Sequence, residues 1–277
     1  MSHEATIREL WTFPVKGCQG VRTDEISVSR LGIPGDRSFA LWQDGALVDQ
    51  KDTPQVAALA ARFDAEAGVL EFRHPNHGEF SHRVSTTGEA RATRAVLDEF
   101  DGIDQGDAIA SWLSAAIDKQ VRLIAPGDPW RINFPIPQLE LLHDEDKQSF
   151  FAASPVSLAS RESLADLNAK VAAPVPMDRF RMNIVVDGMP AYAEDELATL
   201  RAGDVCLEQV VAAERCEIVL TDQKTGARPK SDLLKKMRQK PKEERFGSGR
   251  TFGSYLQVRN AGTLRVGDLL STEPAAD

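Results

Sequence analysis

The residues best suited to chemistry in this sequence are Arg215-Cys216, a thiol directly preceded by a fixed cation. The nucleophilic and metal-ligating form of cysteine is the thiolate, and a neighbouring guanidinium favours that form. Read from the residues alone, a cysteine opening the apolar run Cys216–Leu220 also fits a small buried hydrophobe, so both readings stand at this point. Two further charges are oddly placed. Lys16 follows Pro14-Val15, and Arg181 sits among Phe180, Met182 and Ile184, where a lone charge is costly unless partnered. The five histidines, His3, His74, His77, His82 and His143, show neither HExxH spacing nor clustering, and the HPNH segment that holds His74 and His77 reads first as a turn. Cys18, Cys206 and Cys216 form an odd, widely separated set, which predicts free thiols rather than a disulfide framework, a zinc knuckle or an iron–sulfur cluster. Cys206 alternates with Val205 and Leu207 and is expected in a core. Gly247-Ser248-Gly249 matches no complete phosphate-binding loop and reads as a flexible tip.

These residues must be carried by a chain of 277 residues, long enough for a large core, with 42% apolar and 27% charged residues, close to ordinary globular usage. The formal charge of −9 argues against nucleic acid as a partner, and an anionic ligand would need a local basic pocket. No run approaches the ~18 apolar residues of a spanning helix. The start, MSHEATIREL, lacks the basic and apolar regions of a secretory signal, so a cytoplasmic protein without membrane association is expected.

Short alternating or β-branched runs predict strands at Ile7–Phe13, Ser38–Gln43, Val69–Phe72, Val121–Ile124, Asn183–Val186, Val205–Val211, Cys216–Leu220, Ser254–Val258 and Thr263–Val266. Helical patterns occupy Gln55–Arg62 after Pro54, Asp107–Ile117 with Asp107 as its cap, Arg161–Ala169 after Ser160, and Asp232–Gln239 after Ser231. Without regular βαβ alternation, the fold class is mostly β with peripheral α-helices, a barrel rather than a doubly wound sheet. Ala125–Ile136 carries three prolines and is the expected connection, dividing the chain into 1–125 and 126–277. The charged stretch from Lys235 to Arg250 is expected to begin helical and end as a surface loop.

Three separated groups of motifs together carry a family resemblance. The first is Phe13-Pro14-Val15-Lys16-Gly17-Cys18-Gln19-Gly20 with Gly35-Asp36-Arg37-Ser38-Phe39. The second is Asp178-Arg179-Phe180-Arg181-Met182-Asn183-Ile184-Val185-Val186, then Tyr192-Ala193-Glu194-Asp195 and Gly203-Asp204-Val205. The third is Glu214-Arg215-Cys216 with Thr221-Asp222, Thr225-Gly226, Phe252-Gly253 and Val266-Gly267-Asp268. Their order and spacing, from Ile7 to about Leu270, resemble the molybdenum cofactor sulfurase C-terminal (MOSC) domain family, in the branch that holds the amidoxime-reducing enzymes of mitochondria and their bacterial relatives.

The resemblance implies a MOSC N-terminal β-barrel domain over 1–125, a MOSC domain over 126–277, and the molybdenum cofactor (molybdopterin) as ligand, with pyridoxal phosphate not expected. Molybdenum in that cofactor takes two soft sulfurs from the pterin, and Cys216 occupies the position of a matched protein thiolate. The cofactor ends in phosphate, or in a nucleotide diphosphate. By the same match Lys16, Gly17, Arg37, Arg181, Asn183 and Arg215 would anchor it, through bidentate arginines, a point-charge lysine and close backbone amides at Gly17 and Gly20. Three positions depart from the branch: Glu214 stands where a small hydroxyl residue is usual, Glu217-Ile218-Val219-Leu220 replaces threonines, and Gly17 replaces a serine. The implied function is a molybdenum oxidoreductase that reduces small N-hydroxylated compounds, with Cys216 and Glu214 catalytic and electrons from a separate flavin, haem or ferredoxin-type protein. The competing function is a non-catalytic carrier of the cofactor or of sulfur, with Cys216 as its persulfide.

Overall fold

Residues that alternate apolar and polar with period two bury one face of an extended strand, and such runs are spread along the whole chain. The computed structural model describes residues 4–95, 98–127, 149–150, 154–241 and 248–274 and is mostly β, with closed barrels and peripheral helices. Before residue 127 lie β1 (Glu4–Thr12), β2 (Val21–Thr23), β3 (Glu25–Val28), β4 (Ala40–Gln43), β5 (Ala46–Val48), β6 (Ala60–Asp64), β7 (Val69–His74), β8 (Gly78–Arg83), β9 (Ala90–Ala95), β10 (Asp98–Asp104), α1 (Asp107–Ile117) and β11 (Arg122–Pro126). After it come β12 (Val156–Ser160), α2 (Arg161–Asn168), β13 (Ile184–Asp187), β14 (Leu197–Ala202), β15 (Val205–Glu214), α3 (Leu233–Lys236), β16 (Arg238–Gln239), β17 (Arg250–Asn260), β18 (Gly262–Arg265) and β19 (Leu269–Pro274).

The strands β12-β13-β1-β19-β14-β15-β17 form a ring, because β17 also pairs with β12. Its interior is one apolar core that includes Ile7, Leu10, Leu158, Ile184, Leu207 and Leu256. A bulge between Ile7 and Glu9 lets Ile7 and Leu10 both face that core although they are three residues apart. A second barrel, β10-β11-β4-β5-β9, encloses a separate core with α1, whose Ile109 and Leu113 pack with Leu41 and Leu123. Strands from both sides of Pro126 build the first ring, in which β1 pairs with β13 and β19, and a separate two-stranded sheet likewise joins β3 to β18.

Four local expectations change in the structure. Gln55–Arg62 is a 3-10 turn, Pro54–Ala58, that gives way to strand β6, because Val56, Ala57 and Ala58 are buried where the chain turns into the sheet. Asp107 is not the cap of α1; the N-cap is Gly106, and Asp107 pairs with Arg122 at 2.7 Å. The helix at Asp232–Gln239 shrinks to α3, after which Arg238–Gln239 pairs with β17. Cys216–Leu220 is no strand: the residues after Cys216 form the 3-10 turn Glu217–Leu220. The cap of α2 is as read, with the Ser160 side chain accepting from the Ser163 amide at 3.0 Å. Residues 128–136 of the expected connection lie outside the described residues, as do Gly247, His3 and His143.

Candidate functional site

At the rim of the first ring β17 carries an extra residue relative to β15, since Ala212 faces Ser254 but Glu214 faces Thr251. Gly253 takes up this bulge with φ +70. The chain therefore leaves β15 at Glu214 and turns at Arg215-Cys216 over a cavity of about 200 Å³. The cavity is walled by residues from both halves of the chain: Lys16, Gly17 and Arg37, then Asp49 and Gln50, then Arg179 to Arg181 and Asn183, and finally Glu214 to Cys216 with Ile218 and Val219.

Cys216 is exposed and occupies the N-cap position of the 3-10 turn Glu217–Leu220. Arg179 fixes that turn from a distant segment, donating Nη1 to the Leu220 carbonyl at 2.9 Å and Nη2 to Asp222 Oδ2 at 3.0 Å. Arg215 does not bond the thiol. Among the described residues its Nε donates to the Phe252 carbonyl at 3.0 Å, Nη1 to the Phe180 carbonyl at 3.1 Å, and Nη2 faces Met182 Sδ at 3.1 Å. The rings of Phe180 and Phe252 stack at 3.9 Å, so one aromatic pair fixes both carbonyls that hold this guanidinium.

The cations of the cavity are held in unequal ways. Arg37 pairs with Asp36, which is buried and also accepts the Phe13 amide at 2.6 Å. Lys16 donates Nζ to the Phe150 carbonyl at 2.9 Å, and Arg181 donates Nη1 to the Cys18 carbonyl and to Gln223 Oε1. Lys16, Arg181 and Arg215 thus rest on neutral acceptors, with no carboxylate paired to them among the described residues. Burial lowers all three cations, Lys16 to about 8 and Arg181 to about 9, with Asp49 raising Lys16 and Arg37 further lowering Arg181. Arg37 and Arg181 stand 4.7 and 4.5 Å from the ring centre of Phe13, and both occupy the left-handed region, at φ 50 and 54. Such backbone costs on the order of 1–3 kcal/mol per residue and concentrates at functional sites. The donor set fits a soft metal carried by a phosphate-bearing cofactor: a reachable thiol stands beside three cations that, among the described residues, form no ion pair with a carboxylate.

The structure brings the expected set, Lys16, Gly17, Arg37, Arg181, Asn183, Glu214, Arg215 and Cys216, around this one cavity. Asn183 is also held from inside the protein, its Oδ1 accepting from Ser157 and Arg37 and its Nδ2 donating one hydrogen to the Trp11 carbonyl, so it aligns Arg37 at the cavity wall. Gly20 admits the Phe13 ring, which a Cβ would strike. Glu214 Oε2 accepts the Gly249 amide at 2.9 Å, which ties it to the start of β17. Cys18 is buried, with burial pushing its thiol up to about 12, and Cys206 is buried in β15. Sequence reasoning passed over Arg179, Asp49, Gln50 and Tyr255. Only Arg179 carried a signal, lying one residue from Phe180 in a matched motif; the others become neighbours of the site through folding alone.

Lys16 gives a pH prediction. Its folded value, about 8, lies below the ordinary 10.5, so between these values the unfolded chain binds a proton that the folded chain does not. The destabilisation by Lys16 is therefore complete below pH 8 and relieved as pH rises to 10.5. In denaturant unfolding, wild type is expected to gain stability relative to Lys16→Met across that interval. A difference that stays flat from pH 7 to 10.5 would exclude a buried, unpaired ammonium.

A family model described as the MOSC N-terminal beta barrel domain matches residues 4–120, and one described as the MOSC domain matches residues 145–271. The human protein named mitochondrial amidoxime-reducing component 1 is 30% identical over 274 residues, covering 95% of this chain and 81% of that protein. The mouse protein of the same name is 27% identical with the same coverage. The bovine mitochondrial amidoxime reducing component 2 is also 27% identical, over 95% of this chain and 82% of its own. The two domain matches in this order, over a cavity built from both halves of the chain, establish that this protein belongs to the MOSC family, in the branch of the amidoxime-reducing components.

Proposed function

We propose that this chain is a molybdenum cofactor-dependent oxidoreductase that reduces N-hydroxylated compounds, with Cys216 as the protein ligand to the metal. The observation that carries this is the meeting, on one cavity, of the exposed Cys216 thiol with three cations that among the described residues bond only to neutral acceptors. Lys16 and Arg181 hold the phosphate end of the cofactor by charge, and Arg215 braces the segment that presents Cys216. Arg179 keeps the Glu217–Leu220 turn in place, which sets where the sulfur sits. Bound there, the cofactor supplies the two-electron chemistry that removes oxygen from the substrate. Reduction of an N–OH group to the amine breaks the N–O bond and consumes two electrons and two protons, releasing water; Glu214, two residues from Cys216 and at the cavity wall, would relay these protons from solvent to the substrate oxygen and nitrogen. Electrons come from a separate flavin, haem or ferredoxin-type protein, consistent with three cysteines too far apart in sequence for a cluster motif.

Protein from a cofactor-competent host is expected to carry molybdenum and pterin and, with a strong artificial reductant, to turn over an amidoxime or a hydroxylamine. Loaded protein that turns over neither would rule out the reductase reading. The exposure of Cys216 beside the apolar Ile218 and Val219 supports a second reading, a persulfide carrier of sulfur or cofactor. A cyanide-labile sulfur on Cys216, seen by mass spectrometry, would favour that role.

A further inference from the structure

Gln50, in the segment after β5, and Gln223, in the loop after the Glu217–Leu220 turn, are 0% and 4% exposed. Their amides pair reciprocally: Gln50 Nε2 donates to Gln223 Oε1 at 2.8 Å, and Gln223 Nε2 donates to Gln50 Oε1 at 3.0 Å. Each second hydrogen also has a fixed acceptor, the Gly17 carbonyl at 2.6 Å for Gln50 and the Thr221 carbonyl at 3.0 Å for Gln223. Gln223 Oε1 takes one more bond, from Arg181 Nη1 at 3.1 Å. A primary amide has two donor hydrogens and one oxygen with two lone pairs, so every bonding position of Gln223 is used. The orientation is determined as well. With oxygen and nitrogen exchanged, the NH2 group would face a guanidinium, donor against donor.

We propose that Gln223, clasped by Gln50, is a positioning residue that fixes the Arg181 guanidinium in the cavity wall while leaving its charge available to the phosphate end of the cofactor. The proposal rests on the reading above that the cavity holds such an anion. The residue type carries the argument. A carboxylate at 223 would accept the same bond and form an ion pair, whereas an amide accepts it without neutralising the cation. The nearest carboxylate in sequence, Asp222, is engaged elsewhere, by Arg179 and by Thr225. Arg181 also bonds the Cys18 carbonyl, so both of its acceptors are neutral. Gln50 joins this wall to Gly17 from the other half of the chain, which couples the geometry of two anchoring positions through one amide pair.

The test is titration calorimetry of inorganic pyrophosphate into the full chain, prepared from a host that makes no cofactor, with thermal unfolding of each variant as a check on folding. Gln223→Glu is expected to bind pyrophosphate about ten- to hundredfold more weakly than wild type and to melt at a lower temperature, since a carboxylate cannot donate to Gln50 Oε1 and the Thr221 carbonyl as the amide does. Gln223→Met, which removes the acceptor without adding charge, is expected to lose about three- to tenfold. Added to Arg181→Ala, Gln223→Met should cause no further loss, because its effect passes through Arg181. A purely structural role would leave the glutamate variant binding pyrophosphate no more weakly than the methionine one. If Gln223→Glu does not fold, Gln223→Met and the double variant decide the matter alone. Wild-type affinity in the Gln223 variants beside weakened Arg181→Ala overturns the proposal and leaves the anion site standing. Wild-type affinity in both Arg181→Ala and Lys16→Ala overturns the anion site itself.

Discussion

Replacing Cys216 by alanine is expected to lower amidoxime turnover by at least about a hundredfold, since changes in the shell outside a metal's ligands already cost 10–100-fold. Molybdenum content should fall less steeply, because on the proposed reading Lys16 and Arg181 would still hold the cofactor's phosphate and the pterin sulfurs would still hold the metal. Stability should change by no more than about 0.5 kcal/mol, the range for surface positions, because the side chain is exposed and caps a turn through its backbone. Metal analysis, turnover with an artificial reductant and thermal unfolding of one preparation separate these effects. A variant that turns over at the wild-type rate would remove Cys216 from the chemistry and leave the cavity as an anion site.

The second large effect is on folding. Gly253→Ala is expected to destabilise the protein by about 2–5 kcal/mol, combining a left-handed backbone that L residues resist with overpacking of a tight site. Gly253 has φ +70, and an added Cβ would lie 2.5 Å from the Leu158 carbonyl oxygen, a backbone atom of the paired strand β12 that has no rotamer to move away. The melting temperature should fall by roughly 10 °C. Gly45→Ala is the control: it too has positive φ, at 84, but nothing lies within 4 Å of its Cβ, so only about 1 kcal/mol is expected. Equal losses in the two variants would show that backbone conformation, not the approach of β12, makes glycine necessary at 253. Because the Phe252 carbonyl accepts Arg215 Nε, a shift of this bulge also disturbs the turn that presents Cys216.

Much of this was legible in the chain itself. Alternation located β1, β7, β15, β17 and β18 to within a few residues, since one buried face needs nothing beyond its own sequence to be recognised. The motif residues Lys16, Arg37, Arg181, Arg215 and Cys216 were legible by their order and spacing, and the odd placement of Lys16 and Arg181 in apolar surroundings announced charges that needed a purpose. The segment after Cys216 was misread because Ile218, Val219 and Leu220 have the composition of a strand. What makes it a 3-10 turn is Arg179, which bonds the Leu220 carbonyl from 41 residues away. Gln55–Arg62 was misread for a similar reason: a helical pattern after proline is overridden when Ala61 and Phe63 are needed opposite Phe72 and Leu70 in a sheet.

Sequence by itself determined that this protein is strand-rich, carries free thiols and holds a basic, cysteine-bearing constellation on an acidic chain, because composition, alternation and motif spacing are local properties. The tertiary structure alone decided that β1 closes a ring with strands near the other end of the chain, that Asn183 faces inward to align Arg37, and that Gln50 meets Gln223. These depend on pairings between residues more than a hundred positions apart, whose free energy comes from mutual burial and shared hydrogen bonds and therefore exists only once both partners have been brought together.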